Sequence, residues 1–288
     1  MVRKMLYICA DDYGITEKSS ARIRECAENG ALNKISILAN TGMKNPLEKI
    51  NPSVALSLHL NLVEGKPVSP PEAVSLLIDE RGYFKYSFIG LFFLSLTPKR
   101  RELKRQIYTE LKNQLALWQS MIAPDMPLEI DSHQHTNMIP AVFDSLMRVL
   151  SDEGIKPDYL RMPSEPVMPY IKAAELWRTY RPINILKQFT LNLLGLINRR
   201  KFKKSKIKTA LFMGILFSGN MDKKRVERIL PYYKELAKRK NSDIEVLFHP
   251  GYINEGEEVF DTEKKSFNEF YFSCGRKTEY NALKELQI

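Results

Sequence analysis

Four histidines are all the chain carries: His59, His133, His135 and His249. Each stands in or just after the second half of a short apolar run, VALSLHLNLV (54–63), PLEIDSHQH (127–135) or DIEVLFHPG (243–251). A fourth run, LYICADDYG (6–14), ends in two adjacent carboxylates, Asp11 and Asp12, and Asp131 marks the exit of the 127–135 run. One carboxylate and two imidazoles make an N/O donor set for a borderline divalent ion, and zinc, manganese, cobalt, nickel and iron all suit it. Such an ion lowers the pKa of a water, to about 7 in favourable zinc cases, and polarises a carbonyl. With Asp12 given to the metal, Asp11 is free to accept a proton. Helix N-terminal charge and turn chemistry also account for an Asp pair, but they do not call for histidines at other strand ends. A lone histidine is more often packed than a ligand; the whole histidine supply on one rim reverses that balance.

For these side chains to meet, the runs must be strands of a parallel sheet opening on one side. MLYICA (5–10), KISILAN (34–40), 54–63, 127–135, YLRMP (159–163), TALFMG (209–214) and 243–251 are the strand candidates. Between them lie a helix capped by Thr16 and stopped at Asn29-Gly30, a short helix over NPLEKI (45–50), and a helix from 98 to 121. Another helix runs from Pro140 to Gly154, helical tendency covers 170–205, and a last helix spans 222–240. Strand–helix alternation about seven times over, with no Gly-x-Gly-x-x-Gly, predicts an α/β fold. We expect an irregular, TIM-like (β/α) barrel of about seven parallel strands, one domain over 1–288, with loop insertions near 64–100 and 180–208. In the extended segment Asp131-Ser-His133-Gln-His135 alternate residues share a face, so both imidazoles can point into one cavity, with His59 reaching it from the neighbouring strand. The long 64–100 stretch reads as a lid or binding wall. Its aromatics between Tyr83 and Phe93 can stack on a ligand, but packing beneath the loop is the plainer account.

Composition narrows the function. Hydrophobic residues at 44% and charged residues at 27% are those of an ordinary globular chain. The start MVRKMLYICADD has no cleavage site and reads as a mature cytoplasmic N-terminus. The longest apolar stretch elsewhere, SFIGLFFLSL (87–96), is far below the roughly 18 residues of a membrane span. Cys9, Cys26 and Cys274 are scattered and odd in number, which excludes a disulfide framework or thiolate cage. The net charge of +10 sits largely in TPKRRELKR (97–105), read as an exposed helix start, and NRRKFKKSKIKT (198–209), read as a loop with its approaches. Solvated surface explains both runs better than phosphate binding, so nucleic acid is not an expected partner. The apolar segment 189–197 with its basic neighbours offers a contact to a partner subunit, as in a homodimer, or to a membrane-associated substrate.

The ordered set ADDYG, LSLHLNLVEGKPV, DSHQH and FHPG, over about residues 5–251, resembles the YdjC-like carbohydrate deacetylase family, which includes chitooligosaccharide deacetylases and proteins associated with hopanoid synthesis. The resemblance implies a (β/α) barrel hydrolase that uses one divalent ion, magnesium or zinc ahead of manganese, cobalt, nickel or iron, to remove an N-acetyl group from an amino sugar. By position it implies Asp12, His59 and His133 as metal ligands, Asp11 as catalytic base and His249 as the acid for the leaving amine, with His135 a weaker candidate for that step. Substrate contacts are expected from His135, Arg161, Tyr13 and Asn61. Arg161, at the end of the fifth strand, can also orient Asp11 through a charge-assisted hydrogen bond, a structural arginine being the equal alternative. The family often reads His-x-His-x-His where this chain has His133, His135 and Asn137, so the third position here lacks an imidazole.

Two other readings use the same residues. Two histidines and a carboxylate form the facial triad of iron oxygenases, though without a second adjacent acid. A non-catalytic binder of an anionic polymer would rest on the basic runs and ignore changes at His59 or His133.

Overall fold

A computed structural model describes residues 5–287. Seven strands form one parallel sheet: β1 (Leu6–Tyr13), β2 (Lys34–Leu38), β3 (Ala55–Leu60), β4 (Glu129–Ser132), β5 (Tyr159–Leu160), β6 (Leu211–Met213) and β7 (Ile244–Phe248), in the order β5-β4-β3-β2-β1-β7-β6. The sheet curls until its two edges touch, where Tyr159 bridges Lys208 and Leu160 N donates to Lys208 O at 3.0 Å. The result is the irregular barrel of parallel strands that the alternation predicts.

Period-two alternation sorts the strand residues by chemistry. Ile8, Ala10, Ile35, Ile37, Leu58, Leu60, Ile130, Leu160, Val246 and Phe248 are buried under the surrounding helices, each large one worth about 1.5–3 kcal/mol of burial. The opposite set meets across the barrel interior and is polar. Lys34 Nζ lies 2.6 Å from Glu129 and 3.4 Å from Glu245, above the Tyr159 ring at 4.1 Å. Arg161 reaches Asp11 at 2.7 Å, Glu245 at 2.8 Å and Asp131 at 3.2 Å. Burial works against ionising Glu245, but Arg161 and Lys34 hold it below the usual carboxylate range.

Nine helices among the described residues clothe the barrel: α1 (Glu17–Asn29), α2 (Phe88–Leu94), α3 (Arg100–Met121), α4 (Pro140–Asp152), α5 (Met168–Lys172), α6 (Pro182–Ser205), α7 (Lys223–Lys240), α8 (Lys265–Tyr271) and α9 (Cys274–Glu285). Thr16 caps α1 as expected, its side chain accepting from Ser19 N at 3.1 Å. Gly30 ends that helix for want of space rather than for a left-handed turn, since a Cβ there would sit 2.6 Å from Leu283 O of α9. Two expected elements change. NPLEKI forms turns rather than a helix, and the basic run 198–209, read as a loop, is largely the last two turns of α6.

The long 64–100 insertion is pinned by polar side chains of α3 that satisfy its backbone. Glu110 accepts from Val68 N at 2.9 Å and Ser69 N at 3.0 Å, and Gln106 from Leu76 N at 2.7 Å, while Gln114 holds the approach from β3 by accepting from Asn61 N at 2.9 Å. Of its aromatics, Phe84 is buried as the plainer account has it, whereas Phe93 is exposed.

The segment after β7 is clamped to α1 by Arg22, which donates to both carboxylate oxygens of Glu257 at 2.8 Å and to Tyr252 O at 2.7 Å. The hydrogen bonds from Arg22 hold Glu257 down at about 2 against the partial burial that would raise it. Because the folded value lies below the unfolded one, this stabilisation is complete above about pH 5 and is lost as pH falls towards 2. Glu257→Gln is therefore expected to cost about 1–3 kcal/mol near neutral pH, with the gap in melting temperature to the parent closing as pH drops from about 5 to about 3. Thermal melts across that range test it, and a gap independent of pH would rule the clamp out.

Candidate active site

Neighbouring residues on a strand point to opposite faces, so adjacent acids do not ordinarily share a pocket. β1 solves this with an irregularity: its register against β2 shifts between Ala10 and Tyr13, and Asp12 takes a left-handed backbone, φ 71°. A bulge of this kind re-aims one side chain, and both Asp11 and Asp12 line the same cavity.

Asp12 Oδ1, His59 Nε2 and His133 Nδ1 converge at the floor of that cavity. His133 Nδ1 is 2.9 Å from Asp12 Oδ1 and 3.3 Å from His59 Nε2, which is 3.6 Å from Asp12 Oδ1. The far atom of every member is held by another side chain. Asp131 takes His59 Nδ1, Glu64 Oε2 lies 3.2 Å from His133 Nε2, and Arg276 donates to Asp12 Oδ2. Imidazoles anchored through their second nitrogen on a carboxylate are the arrangement that fixes tautomer and aim in metal sites. The donor set therefore fits a divalent cation. Asp11, His59 and Asp131 also lie within 4.8 Å of one another, but His59 Nδ1 is spent on Asp131, and the Arg161 guanidinium pairs with both acids. A cation there would face a fixed positive charge.

The electrostatics agree. Burial resists ionisation of Asp12, but Arg276 and His133 hold it well below the usual carboxylate range. Burial would depress His59, yet Asp11 and Asp131 raise it to about 10. Metal binding by these imidazoles is coupled to loss of any protons they carry.

The cavity encloses about 460 Å³. His249 and His135 line it too, with walls from Phe88 and Ile89 of α2, Leu186 and Leu191 of α6, and Phe267 and Phe270 of α8. Glu279 of α9 fixes His249, accepting its backbone N–H at 2.6 Å and lying 3.5 Å from Nδ1. Burial, together with Arg161 and His249, keeps His135 neutral. His135 shares the pocket with His133 for a different reason than strand alternation: the chain leaves β4 through a 3-10 turn in which Gln134 (φ 50°) and His135 (φ 57°) are left-handed.

Three of the expected substrate contacts are not among the residues lining the cavity. Tyr13 is fully buried and its hydroxyl accepts from Arg24 at 2.7 Å. Asn61 is buried beneath the loop, its Oδ1 accepting from Val63 N at 3.0 Å and its Nδ2 donating to Glu64 O at 2.8 Å, which fixes Glu64 behind His133. Arg161 lies in the barrel interior and orients Asp11 instead of facing the cavity. Asn137 is structural as well, bridging Ser132 and the Arg161 carbonyl.

Glu64, Tyr271, Arg276 and Glu279 were not anticipated from the sequence. The last three lie beyond the last motif, on a tail whose charged and aromatic residues look like those of any surface helix. Only Glu64 had a signal, five residues after His59 in the LHLNLVEG motif.

A sequence model of YdjC-like proteins matches residues 5–288. The chain belongs to the YdjC-like family. Among curated relatives of this family member, a carbohydrate deacetylase of Thermoanaerobacter pseudethanolicus is 32% identical over 150 residues, covering 51% of this chain and 56% of that one. A carbohydrate deacetylase of Danio rerio is 30% identical over 163 residues, covering 56% and 50%. The chain thus spans about half the length of the curated relatives it matches. A crystal structure of an Enterococcus faecalis protein named for cellobiose-phosphate cleavage superposes with a TM-score of 0.60 at 19% identity, covering 99% of this chain and 97% of that one, and shares the fold.

Because Glu64 backs His133, Glu64→Gln is expected to weaken binding of zinc or cobalt about 10- to 100-fold. Calorimetric titration of the purified protein reads this directly. Unchanged affinity would show that the acid behind His133 has no part in holding the site.

Proposed function

We propose that the chain is a divalent-metal-dependent hydrolase that removes N-acetyl groups from an amino-sugar-containing carbohydrate. The observation that carries this reading is the convergence of Asp12, His59 and His133, three donors with their far atoms already bonded, beside a second carboxylate, Asp11, tied to Arg161. The relatives named carbohydrate deacetylase support the substrate class.

Asp12, His59 and His133 would hold the ion, which when bound supplies Lewis acidity for an acetamide carbonyl and acidifies a water. The remaining work belongs to the chain. Asp11 Oδ2 is tied to Arg161 at 2.7 Å, so the carboxylate keeps one orientation and presents its other oxygen as the acceptor for the proton of the attacking water. His249, braced by Glu279, lines the same cavity and serves as the donor to the departing amine. Phe88, Phe267 and Phe270 offer ring faces to a sugar. This division assigns one acid to the ion and its neighbour to proton transfer.

Acetate release from a panel of N-acetylated glycans, with a chelator and with added metal, tests the reading. Chelation is expected to abolish release, and metal to restore it. Asp11→Asn is expected to lower kcat by about 10²–10⁴ while metal affinity stays near that of the parent. Full activity of Asp11→Asn at saturating metal would sink the base assignment, and activity indifferent to chelation would sink the metal.

A further inference from the structure

Helix α6 is built inside out. Its buried positions are mostly amides, Asn184, Gln188 and Asn198 beside Leu191 and Leu194. They anchor it to the barrel: Asn184 Nδ2 donates to Leu216 O at 3.1 Å, Gln188 Nε2 to Glu165 Oε2 at 2.9 Å and Asn198 Nδ2 to Met138 O at 2.8 Å. The apolar side chains face outward instead. Ile183, Leu186, Phe189, Leu193, Leu196 and Ile197 are 48% to 66% exposed and recur at the three- and four-residue spacing of one helical face. From Ile183 to Ile197 the stripe is about 21 Å long at 1.5 Å per residue. Helix α2 adds Ile89 and Phe93, both more than 60% exposed. Ile89, Ile183 and Leu186 also line the cavity, so the apolar surface runs up to its mouth. A contiguous exposed patch of this kind marks an interaction site.

Charge identifies the occupant. Between Glu175 and Asp222 the chain has ten basic residues and no acidic one, and seven of the ten crowd the end of α6 from Arg199 to Lys208. Lys201 pairs with Asp144; among the described residues no ion pair engages the other six. The basic run 97–105 begins just past α2. We propose that the α6–α2 face docks on an anionic lipid bilayer, its apolar side chains in the acyl boundary and the basic end of α6 on the headgroup phosphates. The cavity mouth then opens towards the lipid surface. No described helix is long and apolar enough to cross a membrane; an apolar face with a basic terminus is the signature of an interfacial helix. A second copy of the chain fits this face less well. It would bring together two surfaces of strongly basic balance and cover both cavity mouths. The docking is independent of the reaction proposed above, so failure of either leaves the other standing.

Cosedimentation with large unilamellar vesicles tests it, comparing phosphatidylcholine alone with phosphatidylcholine containing about one-third phosphatidylglycerol. The parent protein is expected to bind the mixed vesicles at least about tenfold better, with binding falling as salt rises. Phe189→Glu with Leu196→Glu, at exposed positions outside the cavity, should keep the melting temperature and lose about tenfold or more of that binding. Lys203→Glu with Lys204→Glu should erase the preference for phosphatidylglycerol. The proposal is overturned if the parent ignores mixed vesicles at low salt, or if the Phe189/Leu196 variant binds them like the parent. A parent dimer in sedimentation velocity that this variant converts to monomer, without vesicle binding, would give the face to a second copy instead.

Discussion

Arg161 is the charge around which the barrel closes. It rises from the end of β5 into an interior that also holds Asp11 of β1, Asp131 of β4 and Glu245 of β7, and it touches all three. All four groups are buried, so each depends on the others; removing one member of such a cluster strands the rest at a cost of about 3–5 kcal/mol. Ser36 and Ser57 complete the set by donating to Asp131 Oδ2 at 2.6 and 2.7 Å. The chemistry at the mouth inherits its order from this interior. Asp131 aims His59, Arg161 aims Asp11, and both aims are fixed before any ligand arrives.

Much of this was written in the strands. Leu56, Leu58 and Leu60 alternating with Ser57, His59 and Asn61 announce one apolar and one polar face, and parallel strands bring their C-terminal ends to one rim, which is why Asp12, His59, His133 and His249 could be grouped from the sequence. The supports could not be. Arg276, Tyr271 and Glu279 belong to α8 and α9, and their partners lie some 30 to 264 residues away, a distance at which local pattern carries no information. The bulge at Asp12 was hidden for another reason: a left-handed aspartate has no composition of its own. Asn61 and Tyr13 stood beside motif residues yet serve the backbone and the core, because adjacency in sequence does not mean adjacency at a pocket.

Helix α6 shows the opposite failure of local reading. It carries apolar residues on its outer face and both amides and leucines on its inner one, so the sequence pattern does not say which side is inward. Amides take the inner positions because each finds a carbonyl or carboxylate partner in the barrel, so no buried donor is left unpaired there. Glu165 also takes the N–H groups of Gly214, Ile215 and Leu216, so the same carboxylate that orients α6 shapes the cavity wall after β6.

The contact between Asp12 and Arg276 joins residues 264 positions apart. During synthesis at about 5–20 residues per second, β1 leaves the ribosome well before the helix that completes its site exists. Strands β1 to β5 can pair meanwhile, since each is the sheet neighbour of the next in sequence, whereas β6 and β7 join only when β7 pairs with β1 from some 238 residues away. The floor of the cavity, however, stays half-built, with Asp12 lacking the guanidinium on its outer oxygen and Glu64 lacking the Tyr271 hydroxyl. Closure of the sheet thus depends on β7 and completion of the centre on α8 and α9, so both draw on the C-terminal part of the chain.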